Sequence, residues 1–184
     1  MSLKIFIDKY RNQFKAMASD YDQPFDLSKD EPIEFIDKDH VKLTFANIAD
    51  THLIDNESAT INLGNFFQDI SNAKGKFDAV LIAGDLSEYG KTAEYNRFFN
   101  VFDQYKEKFK LFVTMGNHDV RFLFPRNQKI IMDKVNEYLG IDTKGKSYYS
   151  YDVNGYTFIV IGTEKRVLEK AHITQAQIDF LDKE

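Results

Sequence analysis

The chain has 184 residues, 43% of them hydrophobic and 15% aromatic, with a net charge of −5 and no cysteine. That length fits one domain, or one domain with an appendage, and the composition suffices for a sizeable core. It excludes a disulfide framework and a thiolate zinc site, which fits a reducing compartment, and the acidic balance without a Lys- or Arg-rich run weighs against nucleic acid as the main partner.

In chain order, residues 1–40 read as a leader or N-terminal appendage. The start, MSLKIFIDKYRNQFK, lacks an apolar signal core. Leu3, Phe6, Ile7, Tyr10, Phe14 and Met17 recur close to helical spacing. Residues 19–40 are rich in acids and carry Pro24 and Pro32, as an irregular connection would. No stretch of the chain nears the roughly 18 apolar residues of a spanning helix, so no membrane segment is expected. The expected location is cytoplasmic; loss of a native N-terminal signal would make it extracellular or membrane-anchored.

Residues 41–184 read as an α/β body. VKLTFANIA (41–49), FDAVLIAG (77–84) and KLFVTMG (110–116) are apolar runs of strand length, the pattern of strands buried on both faces. Helices are expected between and after them. The first covers 57–73, with Ile61, Phe66, Phe67 and Ile70 on its core side. The second covers 91–108, with a stripe of Tyr95, Phe98, Phe99, Phe102 and Tyr105, and the third 126–139. SYYSYDV and YTFIVIG flank Asn154-Gly155, a two-residue hairpin turn. The last segment opens with Thr174 and Gln177 at capping-box spacing and Ile173 placed as a staple. Alternating strands and helices imply a parallel sheet with right-handed crossovers, with ligands gathering at the carboxyl ends of its strands.

Those ends carry the reactive groups. The first strand runs into Asp50-Thr51-His52, the second into Gly84-Asp85, the third into Gly116-Asn117-His118-Asp119. Singly, each is an ordinary turn or cap residue. Jointly, on three consecutive strands, they describe a site. In an extended segment Asp50 and His52 face the same way, and a carboxylate with an imidazole is a natural clip for a borderline divalent metal. Asp85 has two oxygens and can bridge two ions. Asn117 offers a neutral amide oxygen. Gly84 and Gly116 allow tight turns from strand to loop.

The series D-x-H, GD, GNHD resembles the calcineurin-like metallophosphoesterases, on Asp50, His52, Gly84, Asp85, Gly116, Asn117, His118 and Asp119. AGDLSEYGKTAEY (83–95) is similar, more weakly, to the branch holding cyclic-nucleotide phosphodiesterases. The resemblance implies a layered α/β sheet flanked by helices and a dinuclear site. Asp50 and His52 would bind the first metal, Asp85 would bridge, and Asn117 would bind the second. His118 would meet the phosphate of a phosphomonoester or phosphodiester, and Asp119 would orient the His118 ring. The ions would be divalent or trivalent: manganese, iron or zinc.

The sequence departs from the family pattern in its histidines. Family members usually supply three more after this region, one beyond a later strand and two in a G-H-x-H motif. Here the histidines are His40, His52, His118 and His172; His40 precedes the first strand, and His172 reads as a residue approaching the last helix. The expectation is therefore the N-terminal part of a longer phosphoesterase, truncated at its C-terminus, that binds at most one metal tightly and turns over weakly or not at all. The alternative is a degenerate domain serving as a binding or interaction module. A truncated sheet would also expose an apolar edge and favour self-association.

Overall fold

The computed structural model describes residues 41–54, 56–73, 76–121, 124–164 and 172–184. The leader read over residues 1–40, with His40, lies outside the described residues. Three strands, β1 (Phe45–Ile48), β2 (Ala79–Ala83) and β3 (Lys110–Thr114), form one sheet in the order β1-β2-β3. Both pairings are parallel: Phe45 lies beside Ala79 and Ile48 beside Ile82, then Ala79 beside Lys110 and Ala83 beside Thr114. The carboxyl ends of all three strands therefore meet on one side of the sheet. That mixed α/β layout is the expected fold class.

The connections are helical. α1 (Glu57–Asn72) joins β1 to β2 and α2 (Thr92–Phe102) joins β2 to β3. The Asn56 side chain caps α1 by accepting from the Ala59 N–H at 2.9 Å, satisfying one of the donors a helix start leaves open. Leu63 and Phe67 of α1 are buried, while Ile61 is 57% exposed. Phe66 and Ile70 also pack against the core, so the expected core side holds except at Ile61. Ile61 stands about 200° round the helix from Leu63, so the two cannot share a face, and the deeper Leu63 and Phe67 define it. Phe67 packs edge-on against Phe98 and stacks on Tyr105 at 5.4 Å. The aromatic stripe of α2 is core, as its spacing predicts, but the helix stops at Phe102 and Tyr105 packs from the turns beyond it.

After β3 come a short helix, α3 (Asn117–Arg121), and α4 (Phe124–Leu139). GNHD is thus the entry to a helix rather than a plain turn. The strands β4 (Tyr149–Val153) and β5 (Tyr156–Val160) pair antiparallel as a separate two-stranded sheet. Asn154 and Gly155 both have positive φ, 52° and 82°, as a type I′ turn requires. The hairpin packs on the first sheet through Phe158, stacked on Phe112 at 4.5 Å and 17°. The Tyr149 hydroxyl accepts the Val113 N–H at 2.9 Å.

α5 (Gln175–Lys183) closes the described chain. Its expected capping box does not form. Thr174 makes no side-chain cap bond and its hydroxyl donates to Glu164 instead. The fully buried Gln177 turns the other way: its amide oxygen accepts the Gly162 N–H at 2.9 Å and its amide nitrogen donates to the Gly162 carbonyl at 2.8 Å. A buried backbone pair needing partners outranks a local cap. No described helix is long and apolar enough to cross a membrane.

Candidate metal centre

Asp50 and His52 sit past the end of β1 on backbone that is not extended. Their φ values are 55° and 40°, and that of Asp85 is 53°. Left-handed backbone is costly for residues with a Cβ and clusters at functional sites. The expected extended clip is therefore replaced by two left-handed turns. The segment is held there by main-chain bonds to the β2 end: Asp50 N–H to the Gly84 carbonyl at 3.2 Å, His52 N–H to Asp85 at 3.0 Å, Leu53 N–H to Leu86 at 2.9 Å.

This brings three ligand groups together. The His52 Nε2 lies 3.5 Å from Asp50 Oδ1 and 3.9 Å from Asp85 Oδ2. The ligand atoms of Asp50, His52 and Asp85 all fall within 4.8 Å of one another. Two carboxylates and a borderline imidazole are a donor set that suits a divalent metal ion, so the residues present fit a metal. Burial grades across the site, from Asp50 at 67% side-chain exposure through His52 at 33% to Asp85 at 10%. The approach is therefore from the Asp50 side.

Asp85 serves two neighbours. Its Oδ1 accepts the His118 N–H at 2.8 Å, which ties the start of α3 to the β2 end. Gly116 makes this approach possible, because a Cβ there would lie 2.1 Å from Asp85 Oδ1. Asn117 lines the same cleft as Asp50 and Asp85, a space of about 270 Å³ whose far wall includes Gly162, Thr163 and Ile173. These three come from the chain after β5, which is pinned by the Thr163 N–H on the Met115 carbonyl at 2.9 Å.

The roles of His118 and Asp119 separate. The His118 ring meets the His52 ring edge-to-face at 4.5 Å, and its Nδ1 lies 2.8 Å from the Glu88 carbonyl. The expectation that Asp119 orients this ring is corrected. The Asp119 carboxylate is fully buried and turned inward, accepting N–H groups of Gly116 at 3.0 Å and of Leu86 and Ser87 at 3.3 Å, and the Tyr95 hydroxyl at 3.2 Å. Burial pushes its pKa up to about 6; the three backbone donors oppose that rise and the Asp85 charge adds to it. It acts as a brace for the two loops that deliver Asp85 and His118.

Sequence reasoning missed Glu88. Its Oε2 lies 2.7 Å from His52 Nδ1 and 3.7 Å from His118 Nδ1. Only the SEYG segment following GD hinted at it.

The calcineurin-like phosphoesterase family model matches residues 43–183. The chain belongs to the calcineurin-like phosphoesterase family. Comparison with curated proteins gives no match. Metal-dependent hydrolysis of phosphoesters is what membership of this phosphoesterase family implies, and the clustered carboxylates and histidines supply candidate ligands for it.

Proposed function

We propose that this chain acts on a phosphomonoester or phosphodiester through one divalent ion held by Asp50, His52 and Asp85. The observation that carries the reading is the convergence of those ligand atoms within 4.8 Å, beside His118, at the carboxyl ends of parallel strands. A bound ion supplies Lewis acidity and a nucleophile near neutral pH. The chain's own residues do the rest. Asp85 spans the metal side and the start of α3. His118, with Nδ1 tied to the Glu88 carbonyl, keeps Nε2 as the atom that exchanges a proton with the leaving or phosphoryl oxygen. Asp119 keeps both loops in register.

Among the described residues a second ion would find Asp85 and Asn117, and one Asp85 oxygen already accepts the His118 N–H. The proposal is therefore one tightly held ion, manganese, iron or zinc, with weak turnover. That same poverty of ligands favours the second reading, a metal-binding module without catalysis. An aryl phosphate monoester and diester assayed with saturating manganese separate the two. The hydrolase reading expects turnover that His118→Asn abolishes while metal binding survives. Metal binding without turnover on either ester class would leave the module.

A further inference from the structure

Two groups of potential metal ligands share one residue. Asp50, His52 and Asp85 form the first, and His52, Glu88 and His118 the second. Hydrogen bonding distinguishes them. A metal-binding histidine presents one ring nitrogen to the ion, and the bond made by the other nitrogen fixes the tautomer. The Glu88 carbonyl can only accept, so the His118 Nδ1 at 2.8 Å must be the donor. The Glu88 carboxylate Oε2 lies 2.7 Å from His52 Nδ1, placed to accept its hydrogen. Both Nδ1 atoms then carry hydrogen, and the second group is a set of supports rather than an ion site. His52 is left with Nε2 toward Asp50 and Asp85.

Glu88 is itself anchored to the segment it supports. Its N–H donates to the Leu53 carbonyl at 3.2 Å, and Leu53 bridges to Ser87 as an isolated parallel pair. The residue after His52 is therefore tied by main-chain bonding to Glu88 and to the residue before it.

We propose that Glu88 is a positioning residue that sets the tautomer of both site histidines, its carboxylate fixing His52 for the metal and its carbonyl fixing His118. The proposal rests on the phosphoesterase reading for its purpose, but its signature does not require turnover. The two arms also differ in a testable way. A side-chain change removes the His52 partner and leaves the His118 partner, a backbone atom, in place.

The test is the ring nitrogen–proton correlation spectrum of the metal-free protein, at a pH where both rings are neutral. It is recorded for wild type, Glu88→Ala and Glu88→Gln, with manganese affinity measured by calorimetry on the same samples. The expected wild-type result is Nδ1–H on both histidines. In Glu88→Ala, His52 should lose that preference while His118 keeps it, and manganese affinity should fall by about 10–100-fold, the usual loss for such a support. Glu88→Gln should restore both, because its amide oxygen still accepts. An Nε2–H tautomer for His52 in wild type would overturn the proposal. So would an unchanged His52 and affinity in Glu88→Ala, or equal disturbance of His52 and His118 in both variants, which would show a merely structural role. Absence of turnover with the expected tautomers would remove the hydrolase reading and leave this one standing.

Discussion

Gly116 passes Asp85 so closely that a Cβ on it would sit 2.1 Å from the carboxylate Oδ1 and 2.5 Å from the Asp85 backbone nitrogen. No rotamer change relieves contact with a backbone atom, so Gly116→Ala must move the β3 end away from the β2 end. We expect a stability loss of about 1–3 kcal/mol, typical of forcing atoms into a packed site, together with weakened metal binding. Thermal unfolding and a manganese titration check it. An alanine variant with wild-type affinity would show that the close approach is incidental.

Gly64 is the matched control. It lies within α1, and a Cβ there meets nothing within 4 Å. Gly64→Ala should stabilise the chain by about 0.5–1 kcal/mol through helix propensity and backbone entropy. Metal affinity should be unaffected. A destabilised Gly64→Ala would mean that α1 packs more tightly at this point than the structure shows.

Asp85 and Asp119 make the clearest pair of variants. Asparagine at 85 keeps an oxygen for the His118 N–H but removes the charge facing His52, so the fold should hold and metal binding should be lost. Asparagine at 119 turns an amide nitrogen toward donors that now face the carboxylate, at a cost of about 1–3 kcal/mol for a buried donor left without a partner. Its melting temperature should drop by about 2–4 °C for each kcal/mol. Assayed below both melting temperatures, Asp85→Asn should lose more turnover than Asp119→Asn. Comparable rates for the two would contradict the division of labour between metal side and brace.

Gln177 tests the far wall of the cleft. It is fully buried and holds both the N–H and the carbonyl of Gly162. Gln177→Ala should cost about 1–3 kcal/mol, because two backbone groups lose their partner out of reach of water. Manganese affinity should change little, since none of the proposed ligands touches it. A large affinity loss with unchanged stability would bring the segment after β5 into the metal site.

The strand ends were legible because buried parallel strands leave continuous apolar runs, and each run stops where a reactive residue begins. Asp50, His52, Asp85 and Asn117 could be found that way without any structure. The left-handed turns at Asp50 and His52 could not, because Asp and His tolerate positive φ but adopt it only where tertiary contacts hold them there, here main-chain bonds to Gly84 and Asp85. Glu88 was hidden for the same reason. Its partners lie 36 and 30 residues away, and one of its two contacts uses a backbone atom that any residue type carries. Ile61 and Gln177 misled because periodicity and cap spacing are local. The burial of Leu63 and the needs of Gly162 are set by the tertiary fold.

The central claim is that Asp50, His52 and Asp85 hold one divalent ion. Its most direct test is manganese binding to the metal-free chain, with stoichiometry and affinity measured by calorimetry for wild type, His52→Ala and Asp85→Asn. The account predicts one tightly bound ion per chain in wild type and loss of that binding in both variants. No tight binding in wild type, two tight ions per chain, or binding that survives both substitutions would contradict it.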